Sequence, residues 1–211
     1  MKRAVSIIFS LALFAVVCWL FPLFHVVTMK TATAEKVAAT FNATQFAEMF
    51  WTNQLPAAFG KPVPADLLLP EIKNDPAAAR TKFARGLGMS ESYFYFVSGS
   101  GRVVAVSDDE VSLAITAGST NTEVSLQTGL VFGNALRDGT GLLNASDYPN
   151  SQDFNDISAA LNHIVETRVL PKLREQAKVG VKISFVGCAE VDDESTDLKP
   201  LKVIPIQTEL K

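Results

Sequence analysis

Histidine and cysteine are both scarce in this chain of 211 residues, which holds two of each: His25 and His163, Cys18 and Cys188. No pair of them has zinc-ligand spacing, so no metal site is expected. Cys18 lies inside an apolar run and cannot be expected to pair with Cys188, so no disulfide framework follows either. Cys188 reads as a small buried apolar residue of a strand. Charge of one sign is also lacking, with 19 basic against 22 acidic residues. A chain that neutralises phosphates normally carries a basic stripe, so nucleic acid is not an expected partner.

Chemistry-bearing motifs are equally thin. There is no Gly-x-Ser-x-Gly nucleophile turn. Ser98-Gly-Ser-Gly101 does not open onto a helix, so it is no dinucleotide fingerprint. Gly133-Asn-Ala-Leu-Arg-Asp-Gly139 lacks the lysine and the spacing of a P-loop. Asp192, Asp193, Glu194 and Asp197 miss the spacing of an EF-hand loop and read as a solvated turn. His163 and Glu166 share a helix face, which is at most half a metal site. No catalytic residue and no cofactor is nominated.

Long apolar runs are absent except at the front. Met1-Lys2-Arg3 precedes residues 4–27, which hold no Asp, Glu, Lys or Arg. About 20 apolar residues of helix cross a hydrocarbon core. The leading basic pair predicts a cytoplasmic N-terminus and an exported remainder. Three fates compete: retention as a single-pass signal anchor, cleavage after Ala32-Thr-Ala34, and lipidation at Cys18. The run exceeds an ordinary signal-peptide core, which favours the anchor. The location expected is the cytoplasmic membrane, with the body in the periplasm and the membrane itself the first partner.

Beyond a short spacer, Asn42 opens a helix with Phe46, Met49, Phe50 and Asn53 on one face. A second helical stretch covers residues 64–74. Asp75-Pro76 caps and starts a third, since aspartate accepts orphan N–H groups and proline fits the first turn. The texture then turns β. Residues 93–106 read as one long strand bent by Gly99 and Gly101. Val111, Leu113 and Ile115 alternate with polar or small residues as a second strand. Residues 123–132 form a third. A glycine- and asparagine-rich loop, 133–150, precedes a long amphipathic helix to residue 178, which Pro171 should kink or split. Strands 181–191 and 201–210 follow, with Pro205 marking an edge or a bulge.

The order strand, strand, strand, helix, strand, strand is that of an OB-type fold. The expected architecture is α+β: a five-stranded OB-like β-barrel with a helix between strands 3 and 4. A small helical subdomain and an N-terminal transmembrane helix precede it. The expected divisions are residues 1–30 (anchor), 31–90 (spacer and helical subdomain) and 91–211 (OB-like domain). Arg137-Asp138 is the most distinctive polar pair, and with Asn134 and Asn162 it forms the candidate ligand-binding set. The competing reading is an internal ion pair that fixes the loop.

Taken in order, Phe50-Trp51, Asp75-Pro-Ala-Ala-Ala79, Phe132-Gly-Asn-Ala-Leu-Arg-Asp138, Asp153-Phe-Asn155, Ala160-Leu-Asn162 and Val179-Gly-Val-Lys-Ile-Ser-Phe-Val-Gly187 resemble a bacterial family of uncharacterised predicted periplasmic lipoproteins. The resemblance spans about residues 26–208. It implies an envelope protein often encoded beside sugar ABC-transporter components of the ribose type, and it supplies no catalytic residue. Members usually present glycine or alanine before the lipidated cysteine, whereas Val17 precedes Cys18 here. The expected function is therefore a non-enzymatic accessory or binding protein linked to a sugar ABC transporter. An envelope hydrolase using Arg137, Asp138 or His163 and a structural envelope protein are the alternatives.

Overall fold

The computed structural model describes residues 41–86, 91–148 and 150–210. The apolar run, Cys18, His25 and the Ala32-Thr-Ala34 cleavage candidate lie outside the described residues. Among the described residues no helix is long and apolar enough to cross a membrane. Residues 42–211 form one unit by their contacts.

Asn42 Oδ1 accepts the Gln45 backbone N–H at 2.9 Å and starts helix α1, Ala43–Met49. A π-helical turn (Phe50–Gln54) and a 3-10 turn (Leu55–Ala58) continue it. Its buried stripe runs through Ala47 and Phe50, and Met49 is exposed rather than on the packed face. A two-residue strand, β1 (Val63–Pro64), leads into α2, Ala65–Asn74. Asp75 Oδ1 accepts the Ala78 N–H at 3.0 Å and opens α3, Pro76–Phe83. This helix stops at Phe83, and Arg85–Gly86 (β2) then pairs with Phe94 and Tyr93.

Tyr93–Val106 is one unbroken strand, β3, followed by β4 (Glu110–Ala114) and β5 (Val124–Gln127). Both of its internal glycines answer to crowding. A Cβ on Gly99 would sit 2.9 Å from the Phe185 ring, and one on Gly101 would sit 2.9 Å from the Ala114 carbonyl oxygen. The aromatic run Tyr93 to Phe96 is buried on both faces. The third strand ends at Gln127, not at residue 132. Thr128 and Gly129 give their N–H groups to the Asp109 carbonyl, so the ladder has nothing further to pair with.

The 133–150 stretch is less loop-like than its composition suggests. It holds a short helix, α4 (Ala135–Gly139), and a 3-10 turn. Asn150 then caps α5, Ser151–Ile164, which passes through a π-helical turn, Val165–Val169, into α6, Leu170–Gln176. Pro171 does not split this helix. It lacks the N–H that would bond one turn back, and the widened turn before it absorbs the loss. The extra residue shifts the apolar face by one. Leu161 and Ile164 are buried before the turn and Val165 at its start, while Val169 at its end is only half-buried and Leu170 after it is buried.

Strand β6 (Lys182–Val191), the one-turn helix α7 (Glu194–Asp197) and β7 (Leu201–Leu210) complete the chain. β3 pairs antiparallel with β4 and β6, β4 with β5, and β6 with β7, while β5 runs parallel to β7. The five pairings form a closed circuit, β3-β4-β5-β7-β6 and back to β3. Pro205 sits where the β6–β7 register slips, opposite Gly187, as a residue without an N–H must. Val97, Val103, Leu113, Leu126, Ile183 and Val203 are buried in the core that this circuit carries. The acidic run is a self-capped turn: Asp197 Oδ2 accepts the Asp192 and Asp193 N–H groups, and Lys202 pairs with Oδ1 at 3.0 Å.

Candidate functional site

The four nominated residues come together where α4 and the residues before it lie against α5. Gly139, the last residue of α4, is what lets that helix approach β6. A Cβ there would meet Cys188 Sγ at 2.8 Å. Cys188 itself is fully buried, and burial first, then the nearby Asp138 carboxylate, push its thiol far above the ordinary range. It is therefore an inert packing residue.

Arg137 and Asp138 form the rigid back of the site. Arg137 is 6% exposed and Asp138 is 2% exposed. The guanidinium grips the neighbouring carboxylate with both arms, Nε to Oδ1 at 2.7 Å and Nη2 to Oδ2 at 2.8 Å. Nη1 donates to the Phe154 carbonyl and to Asn155 Oδ1, each at 3.2 Å. The guanidinium carbon lies 3.7 Å from the centre of the Phe154 ring. Every arm of Arg137 is thus committed to an internal partner that ties α4 to α5. A buried bidentate pair of this kind holds geometry well but leaves little capacity for a ligand.

Asn134 and Asn162 stand in front of that pair. Asn134 Oδ1 accepts from Ser158 Oγ at 2.9 Å, and its backbone N–H donates to Glu190 Oε2 at 2.8 Å. Asn162 Nδ2 donates to the Gly133 carbonyl at 3.2 Å, while its buried Oδ1 has no partner among the described residues. Gly133 has φ +80°, and a Cβ there would lie 2.4 Å from Glu190 Oε2. Only glycine fits a left-handed residue pressed against a carboxylate. Burial, and then the Asp192 and Asp138 charges, raise the Glu190 carboxyl above its ordinary range, against the opposing pull of the Asn134 N–H and Arg137.

These groups line a cleft of about 450 Å³ between α5 and the segment from Val131 to Asn134. One wall is a polar stripe at helical spacing, Asn155, Ser158, Asn162 and Glu166, with His163 beside it. Glu166 Oε1 accepts the Val131 N–H at 2.9 Å and so pins the rim. Phe132 on the rim is 74% exposed. The structure therefore divides the nominated set. Asn134 and Asn162 line the cleft, and Arg137 and Asp138 support it from behind. Asn155, Ser158 and Glu190 were not nominated, although the spacing of Asn155, Ser158, Asn162 and Glu166 was a readable signal. Among the described residues no group of three or more His, Cys, Asp and Glu could hold a metal ion.

The fold has a solved counterpart. An OB-fold protein from Thermotoga maritima is 26% identical, with a TM-score of 0.71, over 81% of this chain and 99% of its own length. A search of curated proteins finds no match. The family model described as "Predicted periplasmic lipoprotein (DUF2291)" matches residues 14–209, which include the whole polar cleft. The chain belongs to this family of predicted periplasmic lipoproteins.

Proposed function

We propose that the protein is a non-enzymatic accessory or binding component, held at the periplasmic face of the cytoplasmic membrane. In this reading residues 4–27 form a single-pass helix, Cys18 being the lipidation candidate if the leader is processed instead. The circuit of strands is an OB-like β-barrel that serves as a rigid platform. The partner is a sugar ABC transporter or the sugar it carries.

One observation supports this reading above the others. The cleft joins convergent amide, hydroxyl and carboxylate groups to the exposed apolar side chain of Phe132. Polar groups gathered in a concave site fix a ligand's orientation, and an exposed aromatic on its rim supplies contact area. The Arg137–Asp138 pair adds preorganisation, because it locks α4 to α5 before anything binds. Of the residues a hydrolase would use, Arg137 and Asp138 are already bonded to each other, which leaves His163 on the wall of the cleft.

The test uses the full chain extracted from membranes in mild detergent. Transporter subunits should co-purify with it, and Phe132→Asp should lose them while its melting temperature stays unchanged. A free sugar that binds the cleft at 100 times its Kd should add about 2.7 kcal/mol of stability. Recovery of no transporter subunit, together with no sugar-dependent change in melting temperature, would overturn the proposal.

A further inference from the structure

A second groove shares no lining residue with the cleft beside α5. Two adjoining hollows of about 470 and 480 Å³ have Leu69, Lys73 and Glu123 in common. The first continues from α2 to the approach to β7 and is floored by Ile72, Leu198 and Pro200. The second runs along Pro70, Ile115 and Ala117. Aliphatic side chains thus line both hollows.

The charges are unevenly placed. The first hollow carries Lys73 and Lys199, and neither has an ion pair or a side-chain hydrogen bond among the described residues. Glu123 is the carboxylate at that end, and it is already occupied. It accepts the Ile115 N–H at 2.7 Å, the Thr116 N–H at 2.8 Å and the Thr116 hydroxyl at 2.7 Å. Burial alone would raise the Glu123 carboxyl, yet those donors and Lys73 hold it below its ordinary range. Two lysines against one saturated carboxylate leave one positive charge in excess. The second hollow ends at Asp66, which would repel a second anionic group.

Lys199 lines the first hollow alone and Asp66 the second alone, with Lys73 and Glu123 shared between them, and this polarity suits a ligand that is charged at one end only. We infer that this groove binds a medium-chain alkyl carboxylate, its head between Lys73 and Lys199 and its tail along Leu69, Pro70 and Ile115. Taking methylenes out of water is favourable, so the tail supplies most of the affinity. The exposed lysines give direction more than strength.

The experiment places the full chain in lipid nanodiscs and follows acetylation of individual lysines by mass spectrometry, with octanoate as the probe. Octanoate should slow Lys73 and Lys199 at least threefold and leave Lys178, an exposed lysine elsewhere, unchanged. Octanol and acetate should protect neither. Lys73→Glu, a surface change that keeps Lys199 as the reporter, should abolish the protection at Lys199. Leu69→Asp should do the same where it folds. The inference is overturned if octanoate protects neither lysine. Equal protection by acetate or octanol, equal slowing of Lys178, or protection of Lys199 that survives Lys73→Glu would also overturn it.

Discussion

Replacing Arg137 with alanine should destabilise the body by about 3–5 kcal/mol, the cost of leaving a buried charge without its partner. Asp138 is 2% exposed and takes both of its strongest hydrogen bonds from Arg137. Without the guanidinium the carboxylate must either protonate or draw water into the contact between α4 and β6. The same change strips the cover from the Phe154 ring and removes two bonds to α5. For a body of this size the melting temperature should fall by about 10 °C. The double variant Arg137→Met with Asp138→Leu should recover most of that loss, because replacing a buried ion pair by apolar groups of similar volume is often close to neutral. Thermal melts of the single and double variants decide the matter. A loss under about 1 kcal/mol in the single variant would mean that water reaches the pair and that it does not organise the cleft.

Gly187→Ala should cost about 2–3 kcal/mol, and its damage should fall on the pairing of β6 with β7. The added Cβ would lie 2.5 Å from the Ile204 carbonyl oxygen and 2.5 Å from Val203 Cγ1. The oxygen belongs to backbone in the neighbouring strand and cannot swing aside. Gly187 also stands opposite Pro205 at the register slip, where the ladder has a hydrogen bond fewer to lose. Gly60→Ala is the control, since nothing lies within 4 Å of its Cβ position. That variant should stay within about 0.5 kcal/mol of the parent. Denaturant unfolding of both variants compares them directly, and equal stabilities would contradict the closed circuit of strands.

Much of the fold was legible from local signals. Asp75-Pro76 combines a side-chain acceptor with a residue that needs no donor, and the helix starts there. Gly99 and Gly101 read as bends in a strand; the pairing with β6 keeps its register through both, and each instead meets a neighbour that a side chain would strike. Val111 and Leu113 marked a strand, but the expected half-buried face is packed too, since Ser112 and Ala114 are also buried. What escaped notice depends on partners far along the chain. The third strand ends at Gln127 because Asp109 takes the next two N–H groups, and nothing near residue 127 announces that. Pro171 signals a break, yet a π-helical turn one step earlier keeps the helix continuous and moves its apolar face.

The candidate site follows the same division. Asn134 and Asn162 are polar residues in a polar segment, and the cleft brings them within reach of Ser158 and Gly133. Arg137 and Asp138 stood out because they are adjacent and opposite in charge. Only the packing of Phe154 and Cys188 around them shows that the pair points inward. Glu190 sits in an apolar strand, where a carboxylate is conspicuous, but its contact with Gly133 required the fold. Asn155, Ser158, Asn162 and Glu166 repeat at three and four residues, and a search for polar as well as apolar stripes finds that wall.

The delivery of the body across the membrane can be read at Phe132. This position is exposed on the cleft rim, whereas native Cys188 is sealed in the core. Phe132→Cys should react with a membrane-impermeant maleimide in intact spheroplasts, and the labelled chain should sediment with the membranes. The parent chain serves as the background. Labelling that appears only after lysis, or a chain recovered from the cytosol, would contradict an outward-facing body held at the membrane.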